Sequence, residues 1–150
     1  MGSNILRRKA KGLTLIELIT VTAIIATITG AGMLSITTLD NNRLETDCRR
    51  VVADLSWARE MAANTRCDYR VIFDTVAETY SVFEIDPNGS PPQEVLRQRL
   101  QVNLASVTPS TQLTFSFPTG TTTDTTITLD QNGRTRQVLV TGATGYVSMQ

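Results

Sequence analysis

Four groups of residues in this 150-residue chain have types and spacings that invite a chemical reading. The first is Glu17, inside the apolar run "LTLIELITVTAIIATITGAGMLSI" that begins at Leu13. A run of that length can span a bilayer, and a carboxylate inside it is costly unless a partner neutralises it, so Glu17 marks a function by default. The second is Arg134 and Arg136 in "NGRTR". Alternate residues of a strand point to one side, so the two guanidiniums could face a single phosphate backbone. The plainer reading is a hairpin turn with both arginines on a solvated strand face. The third is "DPNGSPP", rich in oxygen but with Asp86 as its only acid, too little charge for a strong calcium site. It reads as a turn.

The fourth group is Cys48 and Cys67, the only cysteines. If residues 40–64 form one helix, Cys48 lies roughly 24 Å from the end at which Cys67 sits, and a disulfide needs Cα atoms within about 7 Å. Both thiols are therefore expected unpaired and mostly buried. The chain has no histidine. No residues have metal-ligand spacing, no Cys–His pair exists, and no two carboxylates are fixed together by local spacing. The expectation is a protein with no catalytic residues, no cofactor and no metal.

Charge is unevenly spread. Arg7, Arg8, Lys9 and Lys11 precede the apolar run, whereas the chain beyond Gly12 has ten Arg against fourteen Asp plus Glu, a net charge of −4. The basic leader orients the run with its start in the cytoplasm. The acidic remainder opposes general coating of nucleic acid. Within the run, Thr14, Thr20, Thr22, Thr27 and Thr29 can bond to the helix backbone. Gly30-Ala31-Gly32 reads either as a weakened stretch of helix or as a close-packing contact.

These residues need elements to position them. Leu44, Cys48, Val51, Leu55, Ala58 and Ala62 recur at spacings of three and four, which predicts one helical stripe against a folded head. Arg43, Asp47, Arg50, Asp54 and Glu60 fall largely off that stripe, and Trp57 reads as packed in the core or beneath a loop of the head, with an exposed contact between subunits as the alternative. The helix should run from Leu13 to about Asn64. Strands are expected at Tyr69–Asp74, Thr79–Ile85, Val95–Val102, Leu113–Phe117, Thr125–Asp130, Thr135–Thr141 and Tyr146–Ser148. Turn chemistry at 86–89, 109–110, 118–120 and 132–133 separates them. Asn132-Gly133 gives the clearest hairpin signal. The fold class is α+β, a long N-terminal helix followed by an antiparallel β-sheet or sandwich head.

The stretch "KGLTLIEL" resembles the type III signal of type IV pilins and type II secretion pseudopilins: a glycine, an apolar residue, then T-L-I-E-L. Leu13 departs mildly from the usual phenylalanine or methionine. "VADLSWAREMAANTRCDYRVIF" is similar to the end of the helix in minor pseudopilins of the GspH/FimT group. The resemblance implies a pilin-like fold with three regions: a leader over 1–12, a membrane and filament-core helix over 13–39, and a periplasmic head over 40–150. It implies cleavage by the prepilin peptidase after Gly12, methylation of the new amine on Leu13, and an assembly role for Glu17 opposite the amine of a neighbouring subunit. The partners it implies are other pilins or pseudopilins in a filament, the peptidase and the inner membrane. The function it implies is that of a minor pilin or pseudopilin at or near the tip of a type II secretion pseudopilus or type IV pilus. In the FimT branch a G-R-x-R motif is associated with DNA binding during transformation, which makes a DNA-binding minor pilin using Arg134 and Arg136 the alternative. That motif lies nearer the chain end, where this sequence has "TGATGYVSMQ".

Overall fold

The computed structural model describes the backbone of residues 14–150 and the side chains of residues 14–29 and 42–150. It contains α1 (Leu15–Thr65) and eight strands: β1 (Asp68–Asp74), β2 (Thr79–Ile85), β3 (Gln93–Arg99), β4 (Asn103–Thr108), β5 (Gln112–Phe115), β6 (Thr125–Gln131), β7 (Arg134–Thr141) and β8 (Tyr146–Met149). The chain divides after Thr38 into two compact units.

In the first unit α1 starts at a cap the sequence spells out. Thr14 Oγ1 accepts a hydrogen bond from the Glu17 amide at 3.3 Å, and the Thr14 carbonyl accepts from Glu17 and Leu18 at 3.0 and 3.1 Å. Threonine followed three residues later by glutamate is the capping-box spacing, which satisfies amide donors that a helix start leaves without partners. Thr20, Thr22, Thr27 and Thr29 instead turn their hydroxyls back to carbonyls one turn earlier. Leu15, Ile16, Leu18, Ile19, Ile24, Ile25 and Ile28 are all more than half exposed. Among the described residues no helix is long and apolar enough to cross a membrane. The span expected over 13–39 includes Leu13 and the side chains of 30–39, which lie outside the described residues, as do Gly12 and the leader.

In the second unit the predicted stripe is the core. Cys48, Val51, Leu55, Ala58 and Ala62 are fully buried and Leu44 nearly so. They form one apolar cluster with Tyr69, Val71 and Phe73 of β1, Tyr80 and Val82 of β2, Leu113 and Phe115 of β5, and Ile127, Leu129, Val138 and Val140 of β6 and β7. The strands form two four-stranded antiparallel sheets, in the orders β3-β2-β1-β5 and β4-β6-β7-β8. Inward and outward residues alternate along β1 and β6, as strands with one face on a core require. At the β6–β7 hairpin Asn132 and Gly133 both take positive φ, 53° and 79°. Two consecutive left-handed residues are what a tight type I′ turn demands.

Two expectations are corrected. The single strand expected over Val95–Val102 ends at Arg99, and the chain crosses to the other sheet as β4, a strand not anticipated. Asp47, expected off the core stripe, is 1% exposed. One fact explains both. Asp47 Oδ2 accepts the backbone amides of Gln101 and Val102 at 2.5 and 3.1 Å, so a carboxylate carried by α1 fixes the crossing chain where it leaves one ladder for the next. Nothing local in "RQRLQVNLASV" marks that break, because the residue that makes it lies more than fifty positions earlier.

A second joint closes the sheets at the far end of the stripe. Arg59 Nε donates to the Thr144 carbonyl at 2.9 Å, and the Arg59 stem packs against Gly120 and Gly145. A Cβ on Gly145 would stand 2.0 Å from the Gly120 carbonyl oxygen, and its φ is +63°. The Gly142 amide donates to Asp124 at 2.7 Å, and the Thr122 amide to the Gly142 carbonyl at 2.9 Å. Only glycine fits that crossing.

Asp47→Ala should therefore cost about 1–3 kcal/mol, the penalty for leaving buried amides without an acceptor. Gly145→Ala should cost at least as much, through overpacking and a left-handed backbone. Urea denaturation followed by circular dichroism measures both; a change below about 0.5 kcal/mol at either position contradicts the assigned joint.

Candidate assembly surfaces and the arginine pair

Glu17 occupies the first turn of α1 and is exposed, with Leu15, Ile16 and Leu18 around it equally open. An acid in a first turn is favoured by the helix dipole, and the capping arrangement with Thr14 orders the backbone that carries it. Thr14 is a contributor missed earlier; its signal, T-x-x-E ahead of an apolar run, is present in the sequence. Gly12 and Leu13, the residues expected at the processing point, lie outside the described residues.

Arg134 and Arg136 come together on the same side of β7, as alternation requires, but that side is the inner one. Arg136 stands opposite Leu129 and Arg134 opposite Gln131 in the β6–β7 register. Directly opposed residues share a sheet face, and Leu129, like Val138 two residues beyond Arg136, is buried. Both arginines are exposed, at the end of the sheet where it projects beyond the core. They line a cleft of 480 Å³ with Thr135 and with Leu44 and Glu45 of α1. Both arginines are solvated, as the plainer reading has them, but on the face that carries the core residues further along β7. Asp130 pairs with Thr135 and so faces the other way, while Asp124 holds the Gly142 amide at the opposite end of β6. Neither acid borders the pair.

Among the described residues, Glu45 is the carboxylate that lines this cleft. Arg49 Nη2 sits 2.6 Å from Glu45 Oε1. That hydrogen bond, then the Arg49 charge, holds the Glu45 carboxyl below the usual range, with a smaller contribution from Arg136. The arrangement is two guanidiniums and an apolar wall beside a carboxylate already engaged.

The remaining candidates resolve as structure. Asp86 accepts from the Asn88 amide and side chain, both at 2.8 Å, and from Ser90 Oγ at 2.9 Å. Its oxygens satisfy the turn itself, and these bonds hold its carboxyl below the usual range. Among the described residues no group of three or more potential ligands is placed to hold a metal ion. Both cysteines are free, Cys48 buried and Cys67 half-buried. Trp57 is partly covered and packs on the core. It is 37% exposed, with its ring edge-to-face on Tyr69 at 5.9 Å. Asp54, also expected off the stripe, accepts the Tyr80 hydroxyl at 2.5 Å.

With the geometry described, likeness to known proteins can be stated. The family described as "Type II transport protein GspH" matches residues 47–145. The chain belongs to the GspH family. The matched stretch of this GspH-family protein begins at Asp47 and ends at Gly145, so it encloses both joints that close the head. Its fold is similar to that of the minor pseudopilin EpsH from the type 2 secretion system of Vibrio cholerae, with a TM-score of 0.61 at 15% identity over 72% of this chain and 96% of that one. It is also similar to the type IV minor pilin FimU of Pseudomonas aeruginosa, with a TM-score of 0.59 at 20% identity over 73% of this chain and 90% of that one. No curated protein matches the chain.

Burial pushes the Cys48 thiol up to about 11, from an ordinary value of 9.0. Because the folded value is the higher one, the neutral thiol stabilises the fold fully below about 9, and that contribution disappears as the pH rises from about 9 through about 11. Cys48 should resist iodoacetamide at pH 8 in the native protein and react on unfolding in urea, read by mass spectrometry of the peptide that contains it. Native labelling at the rate of a free thiol contradicts its burial.

Proposed function

We propose that this GspH-family protein is a minor pseudopilin or minor pilin, a non-enzymatic structural subunit of a type II secretion pseudopilus or a type IV pilus. The observation that carries the reading is the first unit: an apolar helix, open to its surroundings at Leu15, Ile16, Ile24, Ile25 and Ile28, with a carboxylate in its first turn. Exposed apolar surface on this scale belongs in lipid or against another helix. The head, by contrast, closes its own core. The two halves have different solvents in mind, and a filament subunit needs both.

In this reading the inner-membrane peptidase cuts after Gly12, Leu13 gains a methylated amine, and the apolar run over 13–39 stays in the inner membrane until assembly. The head over 40–150 is periplasmic. Glu17 is neutralised by the amine of the adjoining subunit, which makes its burial tolerable. Glu17 then requires a subunit above it, which argues against this chain as the sole tip-most one. Family membership and the likeness to EpsH and FimU support the general reading; the roles of Gly12, Leu13 and Glu17 rest on "KGLTLIEL". DNA binding through Arg134 and Arg136 gains no support from fold or family, and the acidic balance of the chain opposes it.

Intact mass of the membrane-extracted protein should correspond to a chain that starts at Leu13 and carries one methyl group. Recovery of the uncut chain alone, from cells with active peptidase, overturns the assignment. Glu17→Ala should leave insertion and the melting of the head unchanged while lowering the subunit content of sheared filaments. Equal content in wild-type and variant filaments removes Glu17 from assembly.

A further inference from the structure

Asn88-Gly89 and Asn132-Gly133 are the two Asn-Gly pairs of the chain. Both sit in turns where the glycine takes a positive φ, 89° at Gly89 and 79° at Gly133. The dipeptide carries a reaction of its own, because glycine has no side chain to shield its amide nitrogen. That nitrogen can give its proton to water and attack the asparagine Cγ. A bond forms between the glycine nitrogen and Cγ, the Cγ–Nδ2 bond breaks, and ammonia leaves with a proton returned by water. A second water then opens the cyclic imide at either carbonyl, to aspartate or to its β-linked isomer. Nothing is oxidised or reduced, and solvent water is the only co-reactant.

Space does not restrain this reaction at Asn88. The side chain is exposed, and a Cβ on Gly89 would meet nothing within 4 Å. Asp86 does restrain it. Its Oδ1 accepts from the Asn88 amide and from Asn88 Nδ2, both at 2.8 Å. One oxygen on the N-terminal side of Asn88 thus holds the carboxamide turned back from Gly89. The Gly89 amide itself donates to the Asp86 carbonyl at 3.2 Å, a bond that is lost with its proton. Ser90 Oγ donates to Asp86 Oδ2 at 2.9 Å and steadies the carboxylate. A carboxylate so placed also opposes negative charge developing on the neighbouring nitrogen.

The geometry points to Asn88 as a deamidation site that Asp86 holds closed. The carboxamide that would be attacked and the amide that would attack it are each tied to Asp86, so conversion waits for the turn to open. Conversion is one-way. It replaces a donor to Asp86 with a second carboxylate, or it adds a methylene to the backbone, and either product weakens the turn between β2 and β3.

The test uses the full chain in detergent, incubated at neutral pH both native and in urea. Peptide mass spectrometry reads the exchange of NH2 for OH at each asparagine, and electron-transfer fragmentation separates the β-linked isomer. In urea both pairs should convert at comparable rates, since glycine follows each asparagine. In the native chain Asn88 should convert at least about tenfold more slowly than in urea, because hydrogen bonds to Asp86 must be given up first. Asp86→Ala should remove most of that difference, with the rate at Asn132 in the same sample unchanged. Native Asn88 converting as fast as in urea overturns the closed site. No acceleration in Asp86→Ala overturns Asp86 as the residue that closes it. So does acceleration of Asn132 in equal proportion, which reports opening of the whole head instead of the turn.

Discussion

One helix face must satisfy two sheets. The stripe from Leu44 to Ala62 meets the inward residues of both four-stranded sheets, and every other feature of the head follows from how closely they approach it. The stripe narrows in the direction of the chain, from Leu44 and Leu55 to Ala58 and Ala62. Small residues at its end let the backbone of the sheet-joining loops come down onto α1, where Gly120 and Gly145 cross with no room for a side chain. Close packing of this kind transmits a change at one position to all its neighbours.

Burying that stripe creates a second requirement. The chain must pass from one sheet to the other three times, at β3–β4, β4–β5 and β5–β6, without stranding backbone donors and acceptors in the core. The helix pins the first crossing and the loop before β8 with polar side chains adjacent to its apolar face. Asp47 takes the amides at the β3–β4 crossing, and Arg59 Nε donates a hydrogen bond to the Thr144 carbonyl in the loop before β8. Asp54 meets the Tyr80 hydroxyl between them. A charged residue next to the stripe is thus part of the interior, provided that it finds its partners.

The same economy separates the two units. The head uses most of its apolar residues internally, and Trp57, Val76, Val95, Phe117 and Tyr146 are its scattered exceptions. The helix from Leu15 to Ile28 uses none of its own in this way. Its threonines bond to its own backbone, through the cap at Thr14 and the returned hydroxyls of Thr20, Thr22, Thr27 and Thr29. The threonine hydroxyls of this segment are engaged within the helix, while its apolar side chains stand open.

Periodicity and turn chemistry are local, and what depends on them was determined by the sequence itself: the helix and its stripe, the β1–β2 and β6–β7 hairpins, the Asx turn at Asp86, and Glu17 as an acid within an apolar run. The Cys48–Cys67 separation followed from helical rise alone. The tertiary structure decided what depends on residues far apart in the chain. The break that makes β4 is set by Asp47, and the crowding that demands Gly145 is set by Gly120 and Arg59. Alternation put Arg134 and Arg136 on one face from the sequence. Whether that face looks outward or toward α1 depended on the pairing of β7 with β6 and on the core that Leu129 joins, because a strand has two equivalent sides until a neighbour buries one.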